Sequence, residues 1–228
     1  MKQHSFSATF LLLAIVFCTC LIISNLLAAK IFMLGSLALP AAVIVFPVSY
    51  IINDCIAEVW GFRRARFIIW TGFAMNFLVA ALGQIAVFLP SAPFWNGDAH
   101  FNYMFGLAPR IAAASFLAFL AGSFLNAYVM SRMKVASRGR HFSVRAIAST
   151  LVGEGVDSLI FFPCAFAGMM SFSDMLPMML AQTALKTLYE IIVLPVTILV
   201  VNHVKRVEET DVYDEGISYN ILRVREVS

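Results

Sequence analysis

Long runs without a single charged side chain recur along this 228-residue chain, and they leave few folds open to it. Only 13% of residues are charged, 61% are hydrophobic and the mean hydropathy is +0.87. Soluble domains carry about 25% charged residues and are about 45–50% apolar, so a water-soluble globular fold is excluded. The uncharged runs fall at residues 8–29, 37–52, 67–89, 111–130, 144–170 and 175–201. A helix needs about 20 apolar residues to cross a bilayer. The expected fold is therefore all-α, a polytopic membrane protein with six transmembrane helices. The 37–52 run is short and is expected to continue through Asn53 and Asp54. Pro90, Pro93 and the Ser137–Arg138–Gly139 cluster mark breaks between spans. The first run is too long for a secretory signal core and lacks a clean cleavage pattern, so it is read as a retained span.

Several function classes drop out at this point. No GxxxxGK[ST] sequence occurs, so the chain does not hydrolyse ATP by itself. Cys18, Cys20, Cys55 and Cys164 form no CxxC pair and read as small apolar residues of helix interiors. The four histidines lie at or beyond span ends and far apart, so neither a metal nor another cofactor is expected.

Basic residues set the expected orientation. Arg63, Arg64 and Arg66 lie between runs two and three, and Arg132, Lys134, Arg138, Arg140 and Arg145 between runs four and five. Lys2 precedes the first run; Lys205 and Arg206 come after the last. The 90–109 and 171–174 loops hold no Lys or Arg. Cytoplasmic loops are the basic ones, which puts both termini in the cytoplasm, as an even number of spans requires. Trp60, Trp70 and Trp95 suit interfacial belts. The chain divides into a six-span domain, residues 1–206, and an acid-rich tail, 207–228, read as solvated and cytoplasmic.

Ionisable side chains inside a bilayer cost about 2.5–3.5 kcal/mol each on the lenient insertion scale, which makes them functional suspects. Run five holds Glu154 and Asp157; run six holds Lys186 and Glu190. At a rise of about 1.5 Å per residue, Glu154 and Lys186 each lie roughly 15 Å deep, near the middle of the bilayer. Glu154 and Asp157 share one helix face, as do Lys186 and Glu190. Gly153 and Gly155 thin the helix beside Glu154 and permit close approach. The bland alternative is a buried ion-pair network that only fixes helix packing; a polar substrate site or a proton relay uses the same groups. Asn25, Asn76 and Asn126 serve equally well as interhelical hydrogen bonds or ligand contacts. Asn53, Asp54 and Glu58 are placed at the inner boundary beside Arg63–Arg66, where a salt-bridge or gating network is favoured over substrate contact. Phe161, Phe162 and Tyr189 adjoin the charged turns and are candidates for stacking on a flat ligand.

Four segments together carry a family resemblance: SNLLAAK at 24–30, NDCIAEVWG at 53–61, GEGVDSLIFF at 153–162 and KTLYEIIVLP at 186–195. The set resembles the queuosine precursor transporters, also called the vitamin uptake transporter family. The resemblance implies inner-membrane uptake of 7-cyano-7-deazaguanine or 7-aminomethyl-7-deazaguanine for queuosine modification of tRNA. It also implies a fold similar to the substrate-binding subunits of energy-coupling-factor transporters. The substrate residues expected on both grounds are Glu154, Asp157, Lys186, Glu190, Asn25, Tyr189 and Phe161. Asn53, Asp54, Glu58 and Asn76 are expected in gating or supporting positions. The expected partners are a small deazapurine base and the lipid bilayer, with a homodimer compatible and no nucleic acid. Three readings stay open: a self-sufficient transporter, a binding subunit needing a separate ATPase, and a membrane enzyme. The last finds no HExxH, GxSxG or Cys/His dyad to support it.

Overall fold

The computed structural model describes residues 6–27, 30–34, 37–105, 109–168 and 171–223. Ala28, Ala29 and Met170, at the ends of two expected spans, lie outside these residues, as do Lys2 and positions 224–228. The order is α1 (Ala8–Leu27), β1 (Ile31–Leu34), β2 (Leu37–Pro40), a short 3-10 turn (Ala41–Ile44) and α2 (Phe46–Phe88). Then come α3 (Asp98–Phe105), α4 (Pro109–Ala136), α5 (Phe142–Phe166) and α6 (Phe172–Glu208). Five of these helical stretches are long and apolar enough to cross a membrane. The chain is a polytopic all-α membrane protein, with one small hairpin as its β-structure among the described residues.

The second and third expected spans are corrected by the structure. Residues 37–40 are not helical: β2 pairs antiparallel with β1, Ile31 opposite Pro40 and Leu34 opposite Leu37. An uncharged apolar run fits a strand as well as a helix, and only its length argues between them. The helix begins at Phe46, with Pro47 in its first turn where a missing N–H does no harm. It then runs straight into the third span through a break at Gly61, φ 81° and ψ 174°. That φ is open to glycine and strained for other residues, and a Cβ there would lie 2.6 Å from Asp214 Oδ1. Arg63, Arg64 and Arg66 are therefore helical residues just past a break, not members of a loop.

The break divides α2 by role. Its first segment is the centre of the bundle: residues 52–62 are all buried, and α1, α4 and α6 pack on α2. Its second segment lies against α1. Phe6 stacks on Phe67 at 6.0 Å, and Phe17 sits where Gly72 leaves room for it, while Phe10 meets Trp60, just before the break, edge-on at 5.1 Å. Trp60 is thus a core residue, 4% exposed, rather than an interfacial one. α1 has no charged residue and buries Phe10, Phe17, Leu21 and Ser24 on one stripe. Leu11, Leu12, Ile15 and Ile23 stay exposed on its outside, as an apolar solvent demands.

The most extensive helix pair is α4 with α5. Its backbones meet at glycines: a Cβ on Gly122 would lie 2.8 Å from Gly153 O, and one on Gly153 would lie 2.9 Å from Gly122 O. α6 leans on α5 and on the first part of α2.

After Glu208 the chain turns back along the basic end of the bundle instead of leaving it. Val212 N–H donates to Val59 O at 3.0 Å. Asp214 Oδ2 accepts from Phe62 N–H at 2.8 Å and Ser131 Oγ at 2.5 Å, supplying a partner to the backbone that the Gly61 break exposes. Arg66 donates to Asn220 O at 2.6 Å, and Trp70 Nε1 to Ile221 O at 2.8 Å. Most of this stretch is exposed, but Asp214 is only 7% exposed, because its carboxylate serves as a cap rather than a surface charge.

Candidate functional site: a buried polar layer

α5 is polar inside and apolar outside. Ser149, Thr150, Gly153, Glu154, Asp157 and Ser158 recur at helical spacing on its buried face, while Leu151, Val152 and Leu159 are exposed. That inversion of the soluble pattern arises from an apolar surround, where each polar group must find a partner within the protein.

The charged turns of α5 and α6 meet. Lys186 Nζ lies 2.6 Å from Glu154 Oε2 and 3.4 Å from Asp157 Oδ2, bridging the two acids that share a face of α5. Thr183, one turn earlier on α6, donates to Ser158 Oγ at 3.2 Å and supports the same contact. Glu190, one turn later, is 1% exposed, and its Oε1 has no hydrogen-bond partner among the described residues.

The first segment of α2 completes the layer. Asp54 Oδ1 accepts from Asn126 Nδ2 of α4 at 2.5 Å, and Asn53 donates to Ser123 O at 3.3 Å. Asp54 is wholly buried. Tyr50 is buried beside the Gly122–Gly153 contact and next to Glu154 and Asp157. Of this group, the ambiguous Asn126 proves to join Asp54. Tyr50, Ser123, Ser49 and Thr150 do not stand out in the sequence. A signal is nonetheless present: Ser49, Tyr50, Asn53 and Asp54 stand at i, i+1, i+4 and i+5, a polar stripe on one helix.

The remaining candidates are dispersed. Glu58 draws cations from α4, α5 and α6. Arg145 of α5 grips both its oxygens, with Nη2 to Oε1 at 3.0 Å; Lys205 adds a bond at 2.7 Å and Lys134 lies 3.9 Å away. Lys134 also reaches Glu58 O, Asp211 Oδ1 at 2.5 Å and Val212 O at 2.7 Å. Partial burial pushes the Asp211 carboxyl up, but hydrogen bonds from Lys134 and Lys205 outweigh it and hold the group below its ordinary value. Asn76 is buried in the second segment of α2, and Asn25 is half-buried in α1. Tyr189 is half-buried beside Glu190. Phe161 stands edge-on to Phe162 at 5.5 Å, in a separate apolar cluster with Met175 and Met179.

Comparison with known proteins fits this arrangement. A queuosine precursor transporter from Escherichia coli (strain K12) is 31% identical over 121 residues, 53% of this chain and 52% of that protein. A "probable queuosine precursor transporter" from Bacillus subtilis (strain 168) is 26% identical over 173 residues, 75% of this chain and 76% of that protein. The chain thus spans about half the length of the first relative and three quarters of the second. No solved structure matches it significantly. A family profile described as "Putative vitamin uptake transporter" matches residues 40–200, which takes in α2 to α6 and every buried charge of the polar layer. A match over that much of the chain makes it a member of the vitamin uptake transporter family.

Proposed function

We propose that this protein carries a queuosine precursor, 7-cyano-7-deazaguanine or 7-aminomethyl-7-deazaguanine, across the cell's inner membrane by alternating access. The single observation that carries the reading is the Lys186 bridge between Glu154 and Asp157, in a layer with further acids and, among the described residues, no further lysine. A guanine-like ring presents adjacent N–H donors and a carbonyl. One carboxylate accepts both donors as a bidentate pair, and Lys186 donates to the carbonyl once it leaves its acid. Substrate then replaces an internal ion pair with an equivalent set of bonds, so a buried charge is never left bare. Asp157, Glu190 and Tyr189 line the same helix faces and complete the site. Phe161 and Asn25 belong to the reading only as groups that meet substrate during the movement. The names of the two relatives support the cargo, and the basic loops support cytoplasmic placement of both termini.

The test uses cells blocked in precursor synthesis and lacking their own transporter, fed low concentrations of each deazaguanine. Queuosine in tRNA is expected to return with this gene and to stay absent with Glu154→Gln at equal membrane abundance. No return with the parent gene overturns the cargo assignment, and full return with Glu154→Gln overturns the site. Uptake by the purified protein alone in liposomes separates a self-sufficient carrier from a subunit that needs an ATPase.

A further inference from the structure

The segment after Glu208 holds both sides of the Gly61 break in α2. On the near side, Val212 N–H donates to Val59 O at 3.0 Å. On the far side, Phe62 N–H donates to Asp214 Oδ2 at 2.8 Å and Arg66 to Asn220 O at 2.6 Å. Two turns beyond the break, Trp70 Nε1 donates to Ile221 O at 2.8 Å. The same segment reaches two more helices. On α4, Ser131 donates to Asp214 Oδ2 at 2.5 Å, and Lys134 to Asp211 Oδ1 and to Val212 O. On α6, Lys205 Nζ lies 2.9 Å from Asp211 Oδ1. Tyr219 sets its ring against Phe62 of α2 and Tyr128 of α4, with centroids 5.1 and 4.9 Å away. Hinges are a few residues that absorb a large backbone change, and a glycine has the freedom to be one. Residues 211–221 tie the two halves of this hinge to each other and to the helices beside them.

Two kinds of closure meet at this end of the bundle. Glu58, 1% exposed, is gripped by Arg145, and a buried pair of that kind is costly to part. The tail is held by single bonds from separate groups, and Asp211, Val212, Tyr213, Asn220 and Ile221 are exposed. Segments with exposed hydrogen bonds and little buried side chain open at the smallest cost, and elements that move in function are drawn from them. Release of the tail takes Asp211 from Lys134 and Lys205 and Asp214 from Phe62 N–H, while Glu58 keeps Arg145. Cys55, 1% exposed, stands one turn before Glu58 on the same face of α2, behind this closure.

We propose that residues 211–221 are a releasable latch on the basic end of the bundle. Docked, they hold the two halves of α2 at a fixed angle and keep that end shut. Detached, they let α2 bend at Gly61 and open a path from the basic side toward the polar layer. The latch leaves and returns once in each transport cycle. The cycle half of this inference rests on the transporter reading above; the latch itself does not.

The test locks the latch in the full-length protein. Ser131→Cys/Asp214→Cys puts two thiols where the two side chains now touch, and a mild oxidant is expected to join them; failure to join overturns the docked position. The native Cys55 is the reporter. A water-soluble thiol reagent is added on the basic side, and its attachment to Cys55 is read by peptide mass. Labelling is expected to be slow in the parent and several-fold faster in Asp214→Ala. It is expected to be absent in the oxidised double variant and to return after reduction. Equal labelling of the oxidised and reduced forms, or unchanged labelling in Asp214→Ala, overturns the latch. The two redox forms are one folded protein, so their comparison stands even where Asp214→Ala loses stability. In proteoliposomes, uptake of 7-cyano-7-deazaguanine by the double variant is expected to stop on oxidation and to resume on reduction. Uptake indifferent to the disulfide overturns the role in the cycle. Disulfide-controlled labelling of Cys55 in a protein that moves no deazaguanine upholds the latch and overturns the cargo.

Discussion

Glu58 and Glu190 are equally hidden, each 1% exposed, yet they keep opposite company. Glu58 sits at the basic end of the bundle among Arg145, Lys205 and Lys134, drawn from three other helices or helix ends. Glu190 sits in the middle of α6, with an oxygen that has no hydrogen-bond partner among the described residues. Burial alone therefore does not distinguish a structural charge from a working one; the state of its partners does. A fully paired cluster such as that around Glu58 fixes four segments relative to one another. A buried acid with an unsatisfied oxygen, such as Glu190, is retained against its cost, which is the signature of a site kept for something that comes and goes.

The same chemical change made at both places is the strongest way to break this comparison. Glu58→Gln leaves Arg145 facing a neutral amide and Lys134 and Lys205 with Asp211 alone, and loss of one partner from a buried pair costs about 3–5 kcal/mol. A large drop in the detergent melting temperature is expected; an unchanged melting point would erase the contrast. Glu190→Gln alters a carboxylate whose Oε1 has no hydrogen-bond partner among the described residues, so stability is expected to stay within about 1 kcal/mol of the parent, the scale of one hydrogen bond. A loss as large as that at Glu58 would mean that Glu190 is an ordinary structural ion.

The smallest expected effect belongs to Asp211, which ties the docked tail to Lys134 and Lys205 and is 43% exposed at its side chain. Partly exposed pairs contribute about 0–1 kcal/mol. The folded carboxyl titrates below its ordinary value, so its contribution is fully present above the ordinary carboxylate value of about 3.9 and is lost as the pH falls through the lower folded value. Protease protection of the tail is expected to hold at neutral pH and to weaken only in strong acid. Asp211→Asn should remove that acid dependence while Asp214 keeps the tail in place.

The charged pair at the heart of the site is legible in the sequence because depth in a membrane is arithmetic. Fixed rise per residue and a short connection between α5 and α6 place Glu154 opposite Lys186 whatever the rest of the fold does. Features hidden from the sequence lack such a ruler. Residues 37–52 are uncharged throughout, and no periodicity separates a strand from a helix at 37–40. Gly61 is one glycine among twelve, and its left-handed φ depends on a carboxylate 153 positions later. Glu58 has arginines nearby in sequence, but chain proximity is a poor guide when helices from afar supply Arg145 and Lys205. Docking of the tail is hidden for a related reason: its bonds run from single side chains to isolated backbone groups, which leaves no repeating pattern to detect.

That docked tail also sets an order of assembly. The amide of Phe62, exposed by the break in α2, finds its acceptor in Asp214, a residue made 152 positions later. Throughout synthesis the central helix is in place but its broken backbone is open, and the Glu58 cluster lacks Lys205 until the last helix is complete. Closure of the basic end thus reports that every span has been delivered, and a stalled or truncated product carries an uncapped break that cellular proteases can recognise.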